Sequence, residues 1–324
     1  MYFLRTIFLR LKFFLKNLLK QKAPIRAETI DKGANMINTK EQRIEIFEDT
    51  MKLCKDNTRL AEAVKKSVSG TKFYAADGKI SVSRGENGNT KISVTDERTF
   101  QAAKRLCSEY EGKRIAVLNF ASATNPGGGV TKGSSAQEEA LCRCSTLYPC
   151  IKTDELWEKF YSMHRKRADV RYTDTCIYTP DVTVFKSDTD CPALLGEKEW
   201  YSVDVITCAA PNLRPRPNNS MNPGTGKPVR VTDAELLELH KSRGRKILSV
   251  AAENGVDVLV LGAFGCGAFR NNPMIVARAY KEILAEFDGC FENVTFAVYC
   301  PPDDKGNFNT FSRVLGQGVP AANS

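Results

Sequence analysis

Histidine is nearly missing from this chain. His164 and His240 are the only two in 324 residues, and neither sits in a ligand-like cluster. That scarcity excludes a histidine-built zinc site and disfavours Ser-His-Asp or Cys-His catalysis; each histidine reads as a surface residue on a helix. No CxxC pair occurs either, although there are 11 cysteines. Odd in number, scattered and without a secretory signal, they read as reduced thiols of a cytoplasmic protein. No uninterrupted apolar run is long enough for a signal peptide or a membrane-spanning helix. Acidic residues are missing from 1–22, where Arg5, Arg10, Lys12, Lys16, Lys20 and Lys22 supply six of the +9 net charges. The remaining body, at about +3, gives no reason to expect specific nucleic-acid binding.

What residues 1–22 do have is a stripe. Placed on a helical wheel, Leu4, Ile7, Phe8, Leu11, Phe14, Leu15 and Leu18 share one side and Arg5, Lys12, Lys16 and Lys20 the other. This pattern suits peripheral attachment to an anionic membrane surface, and a polar connector follows to residue 40. Next, "EQRIEIFEDTMKLCKDNTRLAEAVKKSV" has helical apolar spacing and "KISVSRGENGNTKISVT" reads as two strands around a Gly/Asn turn. Together they predict a helical and hairpin extension over 41–110, packed on the core. Over 111–315 the strands "RIAVLNFAS", "YSVDVITCAAP", "VDVLVLGAFG" and "VTFAVYC" alternate with helical runs such as "DAELLELHKSRGRKILSVAAENG" and "PMIVARAYKEILAEF". Such alternation predicts an α/β fold, a mixed, mainly parallel sheet between helices. A flexible C-terminus, 316–324, and a monomeric state complete the expectation.

In these sheets ligands bind beyond the carboxyl ends of strands, and both glycine-rich segments fall there. "RIAVLNFAS" runs into Gly127, Gly128 and Gly129, and "VDVLVLG" runs into "GAFGCGAF" (262–269). Amides freed in two such loops suit the oxygens of a diphosphate. The second loop is no P-loop, because Ala268 and Phe269 stand where Lys and Ser/Thr are required. It is no dinucleotide fingerprint either, because Arg270 replaces the third glycine. Phe269 offers a ring to a ribose or base, or else belongs to the core.

Two carboxylates follow the first loop at the start of a helix. Glu138, three residues after Ser135, fits a capping box, whereas Glu139 has no capping role. Helical neighbours diverge by about 100°, so the two do not flank a glycosidic bond in the manner of paired glycosidase carboxylates. A glycosidase built here relies on one of them as acid and then base. The helix N-terminus lowers its pKa, so its proton must be retained through burial or through the field of a bound diphosphate.

The stretch "VLNFASATNPGGGVTKGSSAQEEALCRCSTLY" resembles the signature of the microbial poly(ADP-ribose) glycohydrolase family: GGG, six to eight residues, then QEE, the gap here being seven. Similarity continues through "YTPDVTVFK", "VDVITCAAPN", "ILSVAAENG" and "VLGAFGCGAFRNNP", over roughly 43–313. The resemblance implies a three-layer α/β/α macrodomain core that binds ADP-ribose, with no metal or cofactor. It implies Glu139 as the catalytic acid/base, with Glu138 and Gln137 holding ribose hydroxyls. Gly127, Gly128, Gly129 and the loop Gly265, Cys266, Gly267, Ala268 and Phe269 would wrap the diphosphate, with Phe269 toward the distal ribose or adenine. Asn119 and Asn125 would border the pocket. Three readings follow: a hydrolase of poly(ADP-ribose), a non-catalytic ADP-ribose-binding module, or a hydrolase of ADP-ribose attached to protein or nucleic acid. The proline-rich, basic 211–231 reads either as a flap over the site or as a surface loop.

Overall fold

The computed structural model describes residues 39–78, 80 and 89–316. The amphipathic stretch 1–22, most of the first arm of the expected hairpin and the C-terminal stretch 317–324 lie outside the described residues. Among those described, no helix is long and apolar enough to cross a membrane.

The helical spacing near residue 40 yields two helices. Thr39 opens α1 (Lys40–Asp56) with a reciprocal cap, its hydroxyl accepting from the Gln42 amide at 3.2 Å while Gln42 Oε1 accepts from the Thr39 amide at 2.8 Å. Asn57 ends α1 and, accepting from the Leu60 amide at 3.1 Å, starts α2 (Thr58–Gly70). The other helices are α3 (Thr99–Glu109), α4 (Gln137–Cys144), α5 (Leu147–Ile151), α6 (Asp154–Leu156) and α7 (Met163–Arg167), followed by α8 (Asp233–Glu253), α9 (Pro273–Leu284) and α10 (Gly306–Leu315).

Seven strands make one sheet: β1 (Lys72–Tyr74), β2 (Lys91–Thr95), β3 (Ile115–Phe120), β4 (Cys176–Val184), β5 (Tyr201–Cys208), β6 (Val258–Leu261) and β7 (Asn293–Ala297), in the order β1-β4-β5-β3-β6-β7-β2. The pairs from β5 through β2 are parallel; β4 is antiparallel to both β5 and β1. Period-two alternation builds the layers. Ile115, Val117, Val258 and Val260 face α1, α3 and α4 through Phe47, Leu106 and Leu141. Ala116, Leu118, Leu259 and Leu261 face α8, α9 and α10 through Ile247, Tyr280 and Phe311. The result is the expected α/β/α sandwich.

Two expectations change. Lys91–Thr95, the second arm of the expected hairpin, pairs in parallel with β7 along its whole length, Lys91 opposite Asn293 and Thr95 opposite Ala297. With β1 at the other edge, the stretch 41–110 supplies two strands of the core sheet as well as packing on it. The histidines, read as surface residues, are both 1% exposed. His164 bonds the Phe160 carbonyl at 2.8 Å and Thr173 Oγ1 at 2.9 Å, His240 bonds Asn271 Oδ1 at 2.9 Å, and burial pushes both rings down to about 4. Helical periodicity alone cannot say that a second layer covers the outer face of a helix.

Tyr280, wholly buried between α9 and the sheet, has a hydroxyl with no hydrogen-bond partner. An unsatisfied buried hydroxyl costs about 1–3 kcal/mol, so Tyr280→Phe should raise the urea midpoint. A lowered midpoint at unchanged m would show that this hydroxyl is bonded in solution.

Candidate active site

β3 and β6 are parallel neighbours, so their carboxyl ends lie on the same edge of the sheet, and the loops leaving them, 121–136 and 262–272, stand side by side. Between and beyond them opens a cavity of about 850 Å³.

Gln137 begins α4 and is spent entirely on the scaffold. Its amide nitrogen donates to the Leu118 carbonyl at 2.7 Å and to Thr99 Oγ1 at 3.0 Å, and its oxygen accepts from the Phe120 amide at 2.9 Å. These bonds lock the first turn of α4 to the end of β3. Both donor hydrogens of Gln137 are thus engaged within the protein.

Glu138 is no cap. The N-cap of α4 is Ala136, with no side-chain capping bond, and the Ser135–Glu138 box does not form. Glu138, 3% exposed, accepts from the Ser122 amide at 2.8 Å, with Asn119 Nδ2 3.5 Å from its other oxygen and the Gly127 amide also directed at it. Glu139, 7% exposed, accepts from the Gly129 amide at 2.8 Å through Oε1, while Oε2 is buried without any partner. Burial holds both carboxyls above the ordinary range, and Glu139's charge pushes Glu138 further. The Gly129 amide first, and then the amides at the start of α4 and the Arg143 charge, pull Glu139 down, but less than burial lifts it.

The two carboxylates, expected to diverge, converge on Gly128. A Cβ there would stand 2.5 Å from Glu139 Oε1 and 3.0 Å from Glu138 Oε2, and its φ of +56° is one that glycine adopts freely. Asn125 fixes this turn by donating its side-chain amide to the Gly128 carbonyl, while the Gly128 amide bonds the Asn125 carbonyl at 2.9 Å. The amides of Gly127, Gly128 and Gly129 are thus directed at carboxylates and at the turn itself. Asn119, Asn125, Gly127 and Gly129 stand behind the cavity wall; Gly128, Gln137, Glu138 and Glu139 form it.

The second loop keeps its expected place. Gly265, Gly267, Ala268 and Phe269 line the cavity, and the amides of Gly267, Ala268 and Phe269 make no hydrogen bond among the described residues. Cys266 does not line it; its thiol turns to the Phe264 carbonyl and packs on the core. Phe269 is half-buried, with the Arg214 guanidinium carbon 5.4 Å from its ring centre.

A family model for the catalytic domain of microbial-type poly(ADP-ribose) glycohydrolase matches residues 40–187. Among solved structures, the glycohydrolase of Thermomonospora curvata is 32% identical with a TM-score of 0.72, the match covering 85% of this chain and all of that one. Its form bound to the inhibitor ADP-HPD is also 32% identical, with a TM-score of 0.70 over 84% and 99% of the two chains. The Deinococcus radiodurans enzyme in complex with ADP-ribose is 34% identical with a TM-score of 0.66, over 78% and 97%. The chain belongs to the microbial-type poly(ADP-ribose) glycohydrolase family. Among curated proteins, none matches it in sequence.

Not every wall of this glycohydrolase cavity is marked by a motif. Arg214, unnoticed in the sequence, lines it with a buried Nη2 that has no partner, while its Nε is held by Asn212 Oδ1 at 3.1 Å. Met221 and Asn222 line it too, and Ser122 Oγ bonds Asn222 Oδ1 at 2.8 Å. Thr225 receives the Tyr172 hydroxyl at 3.3 Å, and Lys132 Nζ bonds the Ser220 carbonyl at 2.8 Å. Bonds at Asn212, Ser220, Asn222 and Thr225 therefore tie this part of 211–231 down, with Arg214, Met221 and Asn222 in the cavity wall. The lack of acids in 211–231 was the available signal.

Gly128→Ala should damage the site in two ways, through left-handed backbone strain of about 1–2 kcal/mol and through collision with both carboxylates. At least a hundredfold loss of kcat in a variant that still folds is expected. Near-normal turnover would show that the glycine serves the turn alone.

Proposed function

We propose that this chain hydrolyses the ribose–ribose O-glycosidic bonds of poly(ADP-ribose) and releases ADP-ribose, with Glu139 as acid and then base. The observation that carries this is the buried, unpartnered Oε2 of Glu139 beside a cavity, on a carboxyl whose other oxygen is fixed by the Gly129 amide. In the first step the protonated carboxyl gives its proton to the leaving ribose oxygen as the C1–O bond breaks through an oxocarbenium-like state. In the second, the carboxylate takes a proton from water as that water bonds to C1. Glu138, held from the Ser122, Asn119 and Gly127 side, positions the ribose. The diphosphate lies against the open amides of Gly267, Ala268 and Phe269, with the free Nη2 of Arg214 as its cation. Phe269 packs on the distal ribose. A binding module gains nothing from a buried carboxylate oxygen without a partner, which costs stability, and this disfavours the non-catalytic reading.

Incubation with purified poly(ADP-ribose) should release free ADP-ribose. Glu139→Gln keeps the Gly129 bond and the shape, so it should retain ADP-ribose affinity while losing roughly two to four orders of magnitude in rate. Comparable turnover would remove Glu139 from the chemistry.

The same substitution carries a stability signature. Because the folded pKa of Glu139 is raised, the native state binds more protons than the unfolded chain between the ordinary carboxylate pKa and the raised one. Wild-type stability therefore falls as pH rises through that window. Glu139→Gln removes this penalty, so its Tm should exceed wild type at pH 8 and meet it near pH 4. A variant less stable than wild type at pH 8 would contradict the assigned burial cost.

A further inference from the structure

We infer that the basic surface around 211–231 and the end of α7 is a docking apron for the part of the polymer still attached to the unit in the cavity. The inference rests on the polymer-hydrolase reading above and adds a second, external contact with the same substrate.

The exit route comes first. On the reading above, Glu139 Oε2 protonates the leaving oxygen, which puts the rest of the polymer on the Glu139 side of the cavity. Gly129, whose amide holds Glu139, packs against Ser134 and Met221. Met221 belongs to the stretch 211–231, so the polymer leaves the cavity alongside that stretch. A few residues on, Gly224 packs against Arg165 and Gly226 against Ala168 at the end of α7, which brings the two basic segments together.

The stretch carries charge of one sign. No acid occurs between Asp204 and Asp233. Arg167, Arg216, Lys227 and Arg230 are exposed, and none makes a salt bridge among the described residues. Like charges gathered without counter-charges repel one another. Arg216 and Lys227 flank Met221 and Asn222 of the cavity wall in the chain, and the occupant that fits such a surface is a flexible chain carrying two phosphates per unit. Several bonds fix the backbone beneath them, among them Asn222 to Ser122, Thr225 to Tyr172 and Ser220 to Lys132, so the apron is preorganised.

The test compares wild type with the combined Arg167→Gln, Arg216→Gln, Lys227→Gln and Arg230→Gln variant on long poly(ADP-ribose) and on a two-unit oligomer, across a salt series. The variant should show KM for long polymer raised about tenfold at low salt, with its salt slope reduced by about 2 to 3 for four lost phosphate contacts. Its kcat, its oligomer kinetics and its calorimetric affinity for ADP-ribose should stay at wild-type values, which also reports on folding. Unchanged KM and salt slope on long polymer would overturn the apron. If single-stranded DNA of equal charge binds wild type and loses affinity in the variant while polymer KM stays put, the surface serves nucleic acid and the proposal falls. If wild type binds ADP-ribose but cleaves neither polymer nor oligomer, the hydrolase reading fails first and takes the apron with it.

Discussion

Two adjacent carboxylates held out of water at the start of α4 are the constraint to which the rest of the site answers. Burying a carboxyl is costly unless its oxygens are hydrogen-bonded, and here backbone amides, among them those of Ser122, Gly127 and Gly129, are brought to them. Amides can approach from that side only because position 128 lacks a side chain. The glycine run thus serves the acids more directly than it serves a ligand. Gln137 has the complementary task of fixing α4 against β3, so that the acids meet those amides at hydrogen-bonding distance.

The asymmetry between the acids follows from which donors reach them. Glu138 is approached from behind by Ser122, Asn119 and Gly127, and its charge environment is further burdened by its neighbour. Glu139 has one oxygen pinned and the other bare. A pinned carboxyl can orient, whereas a carboxyl with one bare oxygen can exchange a proton without first breaking a hydrogen bond.

Much of the fold was legible because period-two and period-3.6 patterns are local: β3, β5, β6, β7, α8 and α9 all lie where the pattern put them. Pairing partners are not local, so β2 was read as half of a hairpin although its ladder is with β7, about two hundred residues away. Burial from an added layer is equally invisible, as His164 and His240 show. In the site, the residues that face the cavity were recognisable by motif, yet the motif could not separate those that face substrate from those that stand behind it. Asn119, Asn125, Gly127, Gly129 and Cys266 fall in the second group. Arg214 escaped because no spacing rule marks a lone arginine in an irregular segment held only by tertiary bonds.

The raised carboxyl pKa values also answer a difficulty that catalysis alone does not raise. A diphosphate is a dianion, and two ionised glutamates in the same low-dielectric cavity would repel it strongly, since Coulomb energies grow as the surroundings dry. Burial lessens that repulsion by favouring the neutral carboxyls, and Arg214, whose Nη2 lacks a partner among the described residues, lines the same cavity. On the mechanism proposed above, the retained proton is both the reagent that the leaving oxygen receives and a reduction of the charge that an anionic substrate meets. A glutamate returned to its ordinary pKa would weaken binding and chemistry together, and this coupling accounts for why the acids are buried so deeply at the cost of native-state stability.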